Sequence, residues 1–147
     1  MMHSEEVPTN KIQTGITNLK MHHIGFLTKK LKKTEESFCA IGYVIEQESA
    51  YDSIRKVNIS FLIKDNYRVE LIEPVDDKSP LYPLLKRYKN SPYHFCYEVT
   101  NLQDAIVNLS NYGWRMFQEP EFAPCLNNRK VCFLMNSNAG MIELLEE

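Results

Sequence analysis

The sequence predicts an α+β fold made of two tandem β-α-β-β-β modules. Three observations predict it. The chain resembles itself at a shift of just over 70 residues. Each half runs strand, helix, then three strands. Each half also carries one His and one Glu on a strand, in places where packing alone calls for neither.

The repeat is read directly. "HIGFLTKKLKKTEESFCAIGY" (23–43) lies over "HFCYEVTNLQDAIVNLSNYGW" (94–114), so His23 meets His94, Leu31 meets Leu102, Phe38 meets Leu109 and Gly42 meets Gly113. "RKVNISFLI" (55–63) meets "RKVCFLM" (129–135), and "VELIEP" (69–74) meets "IELLEE" (142–147). Landmarks in the same order mean that one supersecondary unit is used twice.

The elements follow in order. Residues 21–28 alternate as a strand. Leu31, Thr34, Phe38 and Ile41 recur at helical spacing over 30–41, and Gly42 closes that helix. Strands are expected near 43–49, 55–64 and 67–73. The linker "VDDKSPLYPLLKRYKNSP" (75–92) is polar and broken by prolines, with a short helix at Tyr82–Tyr88. In the second half a strand is expected at 93–99. Asn101 then caps a helix bearing Leu102, Ala105, Ile106 and Leu109, and Gly113 ends it. Strands follow near 115–119, 129–135 and 140–145. Residues 1–19 are expected to be a flexible polar extension, anchored weakly by Ile12 and Ile16. One domain spans 20–147, with module one at 20–74, the linker at 75–92 and module two at 93–147.

Composition narrows the function. The net charge of −2 gives no nucleic-acid footprint, and no apolar run reaches the roughly 20 residues of a membrane span. The first twenty residues lack the apolar stretch of a signal peptide. Cys39, Cys96, Cys125 and Cys132 form no C-x-x-C pair, and three of them lie in apolar segments. Reduced thiols and a cytoplasmic location are expected.

In "VELIEP", Val69 and Leu71 point one way, Glu70 and Ile72 the other. The more apolar face should meet the helix of its own half. It is expected to take Val69, Leu71, Ile142 and Leu144, then Val57, Ile59, Phe61, Val131 and Phe133, then Ile24, Phe26, Phe95, Tyr97 and Val99. The other face then receives His23, Glu70, His94 and Glu143, with Gly25, Asn58, Ser60, Cys96 and Cys132. His22 is expected on the helix side. Two imidazoles and two carboxylates on a cavity wall suit a divalent metal, because unpaired buried charges cost several kcal/mol. His23, Glu70, His94 and Glu143 are the expected ligands of Zn, Ni, Co or Mn, with Fe(II) less suited. Lys56 and Lys130, at the starts of the two RKV strands, are candidates for an anionic substrate.

At these residues the chain resembles the vicinal-oxygen-chelate superfamily. "HHIGF", "VELIEP", "YHFCYEV" and "GMIELLEE" match the places of its four ligands. The resemblance covers about 20–147 and implies a cup-shaped mixed sheet with helices outside, the glyoxalase/bleomycin resistance/dioxygenase fold, closed within one chain or across a homodimer. The wording is most similar to methylmalonyl-CoA epimerases, and the His/Glu/His/Glu set to glyoxalase I. Both branches imply loss of a proton α to a carbonyl and an enediolate stabilised on a divalent metal, with a small carbonyl or thioester substrate. By analogy Glu143 is the base, and Glu70 chelates or shares the work. Two departures stand out. Asn58 occupies the place of the second catalytic Glu of the epimerases, where it can orient a substrate but not accept a proton. Leu27 replaces the Arg of glutathione-dependent glyoxalases. The superfamily also implies two alternatives, an Fe(II) dioxygenase and a metal-free, drug-sequestering binding protein.

Overall fold

A computed structural model of the chain describes residues 15, 16 and 18–147. Most of the expected extension over 1–19, Ile12 included, lies outside these residues, while Ile16 and Leu19 pack against a buried cluster of the second half. The first half comprises β1 (Lys20–Leu27), α1 (Leu31–Ala40), β2 (Val44–Asp52), β3 (Val57–Lys64) and β4 (Tyr67–Pro74). A short helix, α2 (Tyr82–Tyr88), lies in the connection. The second half comprises β5 (Ser91–Val99), α3 (Leu102–Ser110), β6 (Arg115–Ala123), β7 (Arg129–Asn136) and β8 (Gly140–Glu146), with a 3-10 turn at Pro124–Leu126.

The eight strands form one mixed sheet in the order β2-β3-β4-β1-β5-β8-β7-β6. The first strand of each half pairs in parallel with the last strand of its own half, and β1 and β5 join antiparallel at the midline. In a flat sheet of this order the edges would stand roughly 34 Å apart, at about 4.8 Å per strand. Instead the Gln47 side chain on β2 donates to the Cys125 carbonyl beyond β6 at 3.1 Å, and Arg55 after β2 lies 3.7 Å from Glu121 on β6. The sheet therefore curls into a cup.

The helices dock outside. α1 packs Leu31 against Leu62, Val69 and Leu71, and α3 packs Leu102, Ala105 and Leu109 against Cys132, Leu134, Ile142 and Leu144. Gly42 and Gly113 follow the helices at φ +104° and +86°, backbone that residues with a Cβ rarely adopt. Asn101 caps α3 by accepting from the Asp104 amide. Each helix start also receives a carboxylate from the last strand of its half. Glu73 accepts from the Leu31 amide at 2.7 Å, and Glu146 from the Leu102 amide at 2.9 Å. In E-x-x-E the second Glu, three residues on, lies on the opposite face from the first.

Register corrects the expected faces of the RKV strands. Phe61 stands opposite Glu70 and Ile59 opposite Ile72, while Phe133 stands opposite Glu143 and Val131 opposite Leu145. Partners directly opposite share a face. Val57, Ile59, Phe61, Val131 and Phe133 thus line the inside of the cup, and Asn58, Ser60 and Cys132 turn to the helix side. The reason is that β3 and β7 are buried on both faces, so the more apolar face is not the helix face. Phe95, expected under a helix, is exposed at the midline, where neither helix reaches. The outer strands β2 and β6 run to Asp52 and Ala123, beyond their expected ends, through irregular pairing with β3 and β7.

Candidate metal centre

Two β-bulges flank the midline. Met21 pairs with Tyr97 and His23 with Cys96, which leaves His22 as the extra residue on β1. Gly25 pairs with His94 and Phe26 with Pro92, which leaves Tyr93 as the extra residue on β5. A bulge breaks strict alternation and re-aims side chains. The His22 ring consequently lies edge-on to His23, with centroids 5.1 Å apart, and Tyr93 lies edge-on to His94 at 4.4 Å. His22 is therefore not a helix-side residue: its ring also meets Phe61 inside the cup.

His23, Glu70, His94 and Glu143 converge there. His23 Nε2 lies 3.4 Å from Glu70 Oε1, 3.2 Å from Glu143 Oε1 and 3.3 Å from His94 Nε2. His94 Nε2 lies 3.3 Å from Glu143 Oε1 and 3.8 Å from Glu70 Oε1. One ligand atom from each residue lies within 4.8 Å of every other, and all four residues are buried. Gly25 makes this possible, because a Cβ there would overlap the His94 ring. Phe61 and Phe133 present ring contacts to His23 and His94 at 5.5 and 5.4 Å.

The donor set fits a divalent cation. Four lone-pair-bearing atoms face one point out of water, with Glu143 Oε1 buried between the Nε2 atoms of His23 and His94. Without an ion, protons carry the balance. Burial opposes an imidazolium at His23, but Glu70 and Glu143 more than offset it and raise the pKa to about 10. Burial likewise opposes ionisation of Glu143, yet hydrogen bonds from His23 and His94 and their charge hold its pKa below the usual carboxylate range. Cys96 stays a thiol, its pKa pushed well up by burial and by Glu143 and Glu70.

Glu70 and Glu143 of the cluster line a cavity of about 500 Å³, whose other lining is mostly apolar and includes Ile59, Ile72, Leu81, Leu84 and Phe117. The short helix α2 closes one side of it. Arg55 enters the same cavity, donates from Nη1 to Asp52 Oδ2 at 2.9 Å, and keeps Nη2 buried without a hydrogen-bond partner. The other predicted substrate contacts fall elsewhere. Asn58 donates to Glu73 at 3.0 Å beside the start of α1. Lys56 is exposed in a turn, and Lys130 is exposed with Nζ 5.8 Å from the Phe122 ring centre. Neither lysine lines the cavity. Sequence reasoning passed over Arg55, Tyr93 and His22. The repeat itself held a signal, since the shift that superposes His23 on His94 also superposes His22 on Tyr93.

The sequence profile of the Glyoxalase/Bleomycin resistance protein/Dioxygenase superfamily matches residues 22–133. The chain belongs to that superfamily. Its relatives include human mitochondrial methylmalonyl-CoA epimerase, 24% identical over 96% of this chain and 82% of the relative. The superfamily fold recurs in methylmalonyl-CoA epimerase from Mycobacterium tuberculosis, at TM-score 0.76 and 17% identity, covering 93% of each chain. It recurs again in a variant of the Streptomyces coelicolor epimerase in complex with 2-nitronate-propionyl-CoA, at TM-score 0.75 and 18% identity, covering 87% of this chain and 94% of that one. Among the described residues no helix is long and apolar enough to cross a membrane.

Proposed function

We propose that the chain is a metal-dependent enzyme that labilises the proton next to a thioester carbonyl, an isomerase of the epimerase type. The observation that carries this is the convergence of His23, Glu70, His94 and Glu143 within 4.8 Å, with Glu70 and Glu143 in the wall of a largely apolar cavity. The epimerase relatives supply the substrate class, an acyl-CoA thioester. A divalent ion in such a site supplies Lewis-acid stabilisation of negative charge on a carbonyl oxygen.

His23, Glu70 and His94 would hold the ion. Glu143 would present its Oε1, 3.2 Å from His23 Nε2 and 3.3 Å from His94 Nε2, as the acceptor of the α-proton, and Glu70 is the second carboxylate within reach of the same point. Exchange needs one of them. Inversion needs a second group, already protonated, that gives its own proton to the opposite face of the carbon while Glu143 passes the abstracted proton to solvent; Glu70 would fill that place only when released from the ion and protonated from solvent. Ile59, Ile72, Leu81 and Leu84 exclude water, which strengthens every charge interaction inside. Arg55 Nη2 offers a donor to a substrate carboxylate, in place of Asn58, Lys56 and Lys130.

The test pairs elemental analysis of the purified protein with α-proton exchange in D₂O over propionyl-CoA, methylmalonyl-CoA and an α-keto hemithioacetal. One divalent ion per chain is expected, with deuterium entering the acyl-CoA esters. Chelation should stop the exchange, and Glu143→Gln should slow it by roughly 10²–10⁴-fold. Deuterium entering the hemithioacetal alone would move the reading to a glyoxalase-type lyase. No exchange by the metal-loaded protein on any of the three would refute it.

A further inference from the structure

The two imidazoles of the cluster differ on the side that faces away from it. His94 Nδ1 is buried and has no hydrogen-bond partner. His23 Nδ1 lies 2.8 Å from His22 Nδ1. Two aromatic nitrogens at that separation hold one proton between them: two would clash, and none would set two lone pairs against each other. If His23 Nε2 is to offer its lone pair to a cation, its own proton must sit on Nδ1, so His23 donates and His22 accepts.

We propose that His22 is a positioning residue that fixes the metal-facing tautomer and the ring plane of His23. The bulge on β1 makes this possible, because strict alternation would send adjacent side chains to opposite faces. His22 is held in its turn. Its ring packs edge-on against Phe61 with centroids 6.5 Å apart, and its carbonyl accepts from Arg68 Nη1 at 3.1 Å. Arg68 is tied to Glu46 at 2.6 Å. Behind His22 lies a small recess of about 180 Å³ lined by Glu46, Arg68 and Arg129. Partners of the outer nitrogen of a ligating histidine typically contribute 10–100-fold in metal affinity. The assignment rests on reading the cluster as a cation site. It adds that this site has one anchored histidine and one held only by packing.

The experiment measures Zn²⁺ dissociation constants by chelator competition on the full chain, for the wild type, His22→Leu and His22→Asn. Asn Oδ1 stands where His Nδ1 stood and can accept the same proton. His22→Leu is expected to bind Zn²⁺ roughly 10–100-fold more weakly, and His22→Asn to recover most of the loss. Nitrogen-15 NMR of the Zn²⁺-loaded wild type is expected to show a proton on His23 Nδ1 with a through-hydrogen-bond coupling to His22 Nδ1. A His23 proton on Nε2, or equal affinity of His22→Leu and wild type, overturns the His22 assignment and leaves the cation site standing. Failure of the wild type to bind any divalent ion overturns the site itself. The NMR measurement needs no variant, so a misfolded His22→Leu does not shelter the claim.

Discussion

His22 and Tyr93 hold equivalent places in the two bulges, and Arg129 and Arg55 begin equivalent R-K-V runs, yet the two ends of the cup differ. At the His22 end, Arg129 donates to Glu98 at 2.8 Å and to the Glu146 carbonyl, and the turn at Cys125–Asn127 closes in. What remains is the small recess. At the Tyr93 end, Arg55 turns into the large cavity, whose rim includes α2, β6 and the same Cys125–Leu126 turn. One end of the cup became the support of the site and the other its entrance, and each end draws on both halves. A repeat therefore supplies ligands symmetrically but not access, because access depends on the loops between strands, where the halves diverge.

The largest effect should come from filling the space beside His94. Gly25→Ala is expected to displace the His94 ring and abolish Zn²⁺ binding, at a stability cost of about 1–3 kcal/mol. The residue equivalent to Gly25 in the other half is Cys96, which sits opposite His23. Cys96→Ala should keep Zn²⁺ binding by chelator competition. Equal loss in both variants would break the distinction between the two histidines.

Next comes pH. In the metal-free protein the His23 pKa stands near 10 against an ordinary 6.5, and Glu143 stands below its ordinary 4.5. The His23 contribution to stability is complete below pH 6.5 and is lost as pH rises toward 10. The Glu143 contribution is complete above pH 4.5 and is lost on acidification through its depressed pKa. Tm of the metal-free protein should therefore peak between these limits and fall on the alkaline side. Saturating Zn²⁺ should remove the alkaline fall, because the ion replaces the proton. A flat alkaline limb without metal would show that the cluster does not hold that proton.

The two helix starts give a smaller contrast. α1 has no side-chain cap of its own at Lys30 and depends on Glu73, whereas α3 has both Asn101 and Glu146. Glu73→Ala should cost about 1–2 kcal/mol in urea unfolding, and Glu146→Ala less than about 1 kcal/mol. The smallest effect is expected at the entrance. Tyr93→Phe keeps the edge-on ring against His94, so Zn²⁺ affinity should change by less than about twofold, roughly 0.4 kcal/mol. A change as large as that of His22→Leu would mean that the two bulged residues play the same part.

Much of the fold was legible because it is written as periodicity. Helix stripes, closing glycines, the Asn101 cap and the order of strands are local patterns, and the duplication states each of them twice. His23, Glu70, His94 and Glu143 could be singled out because a charged or titratable side chain between apolar neighbours is costly unless something pairs with it. What stayed hidden was everything that depends on which strand lies beside which. "VNISFLI" is buried on both faces, so its more apolar face need not be the helix face, and only its pairing with β4 puts Phe61 beside Glu70 and carries Asn58 out to Glu73. A bulge is one residue of slip in a ladder, and no residue of "MHHIG" announces that His22 will turn toward His23. Sequence by itself determined the elements and the residue types that need a partner. The tertiary structure alone decided which of them meet, because alternation sets the facing of a strand only until pairing shifts its register.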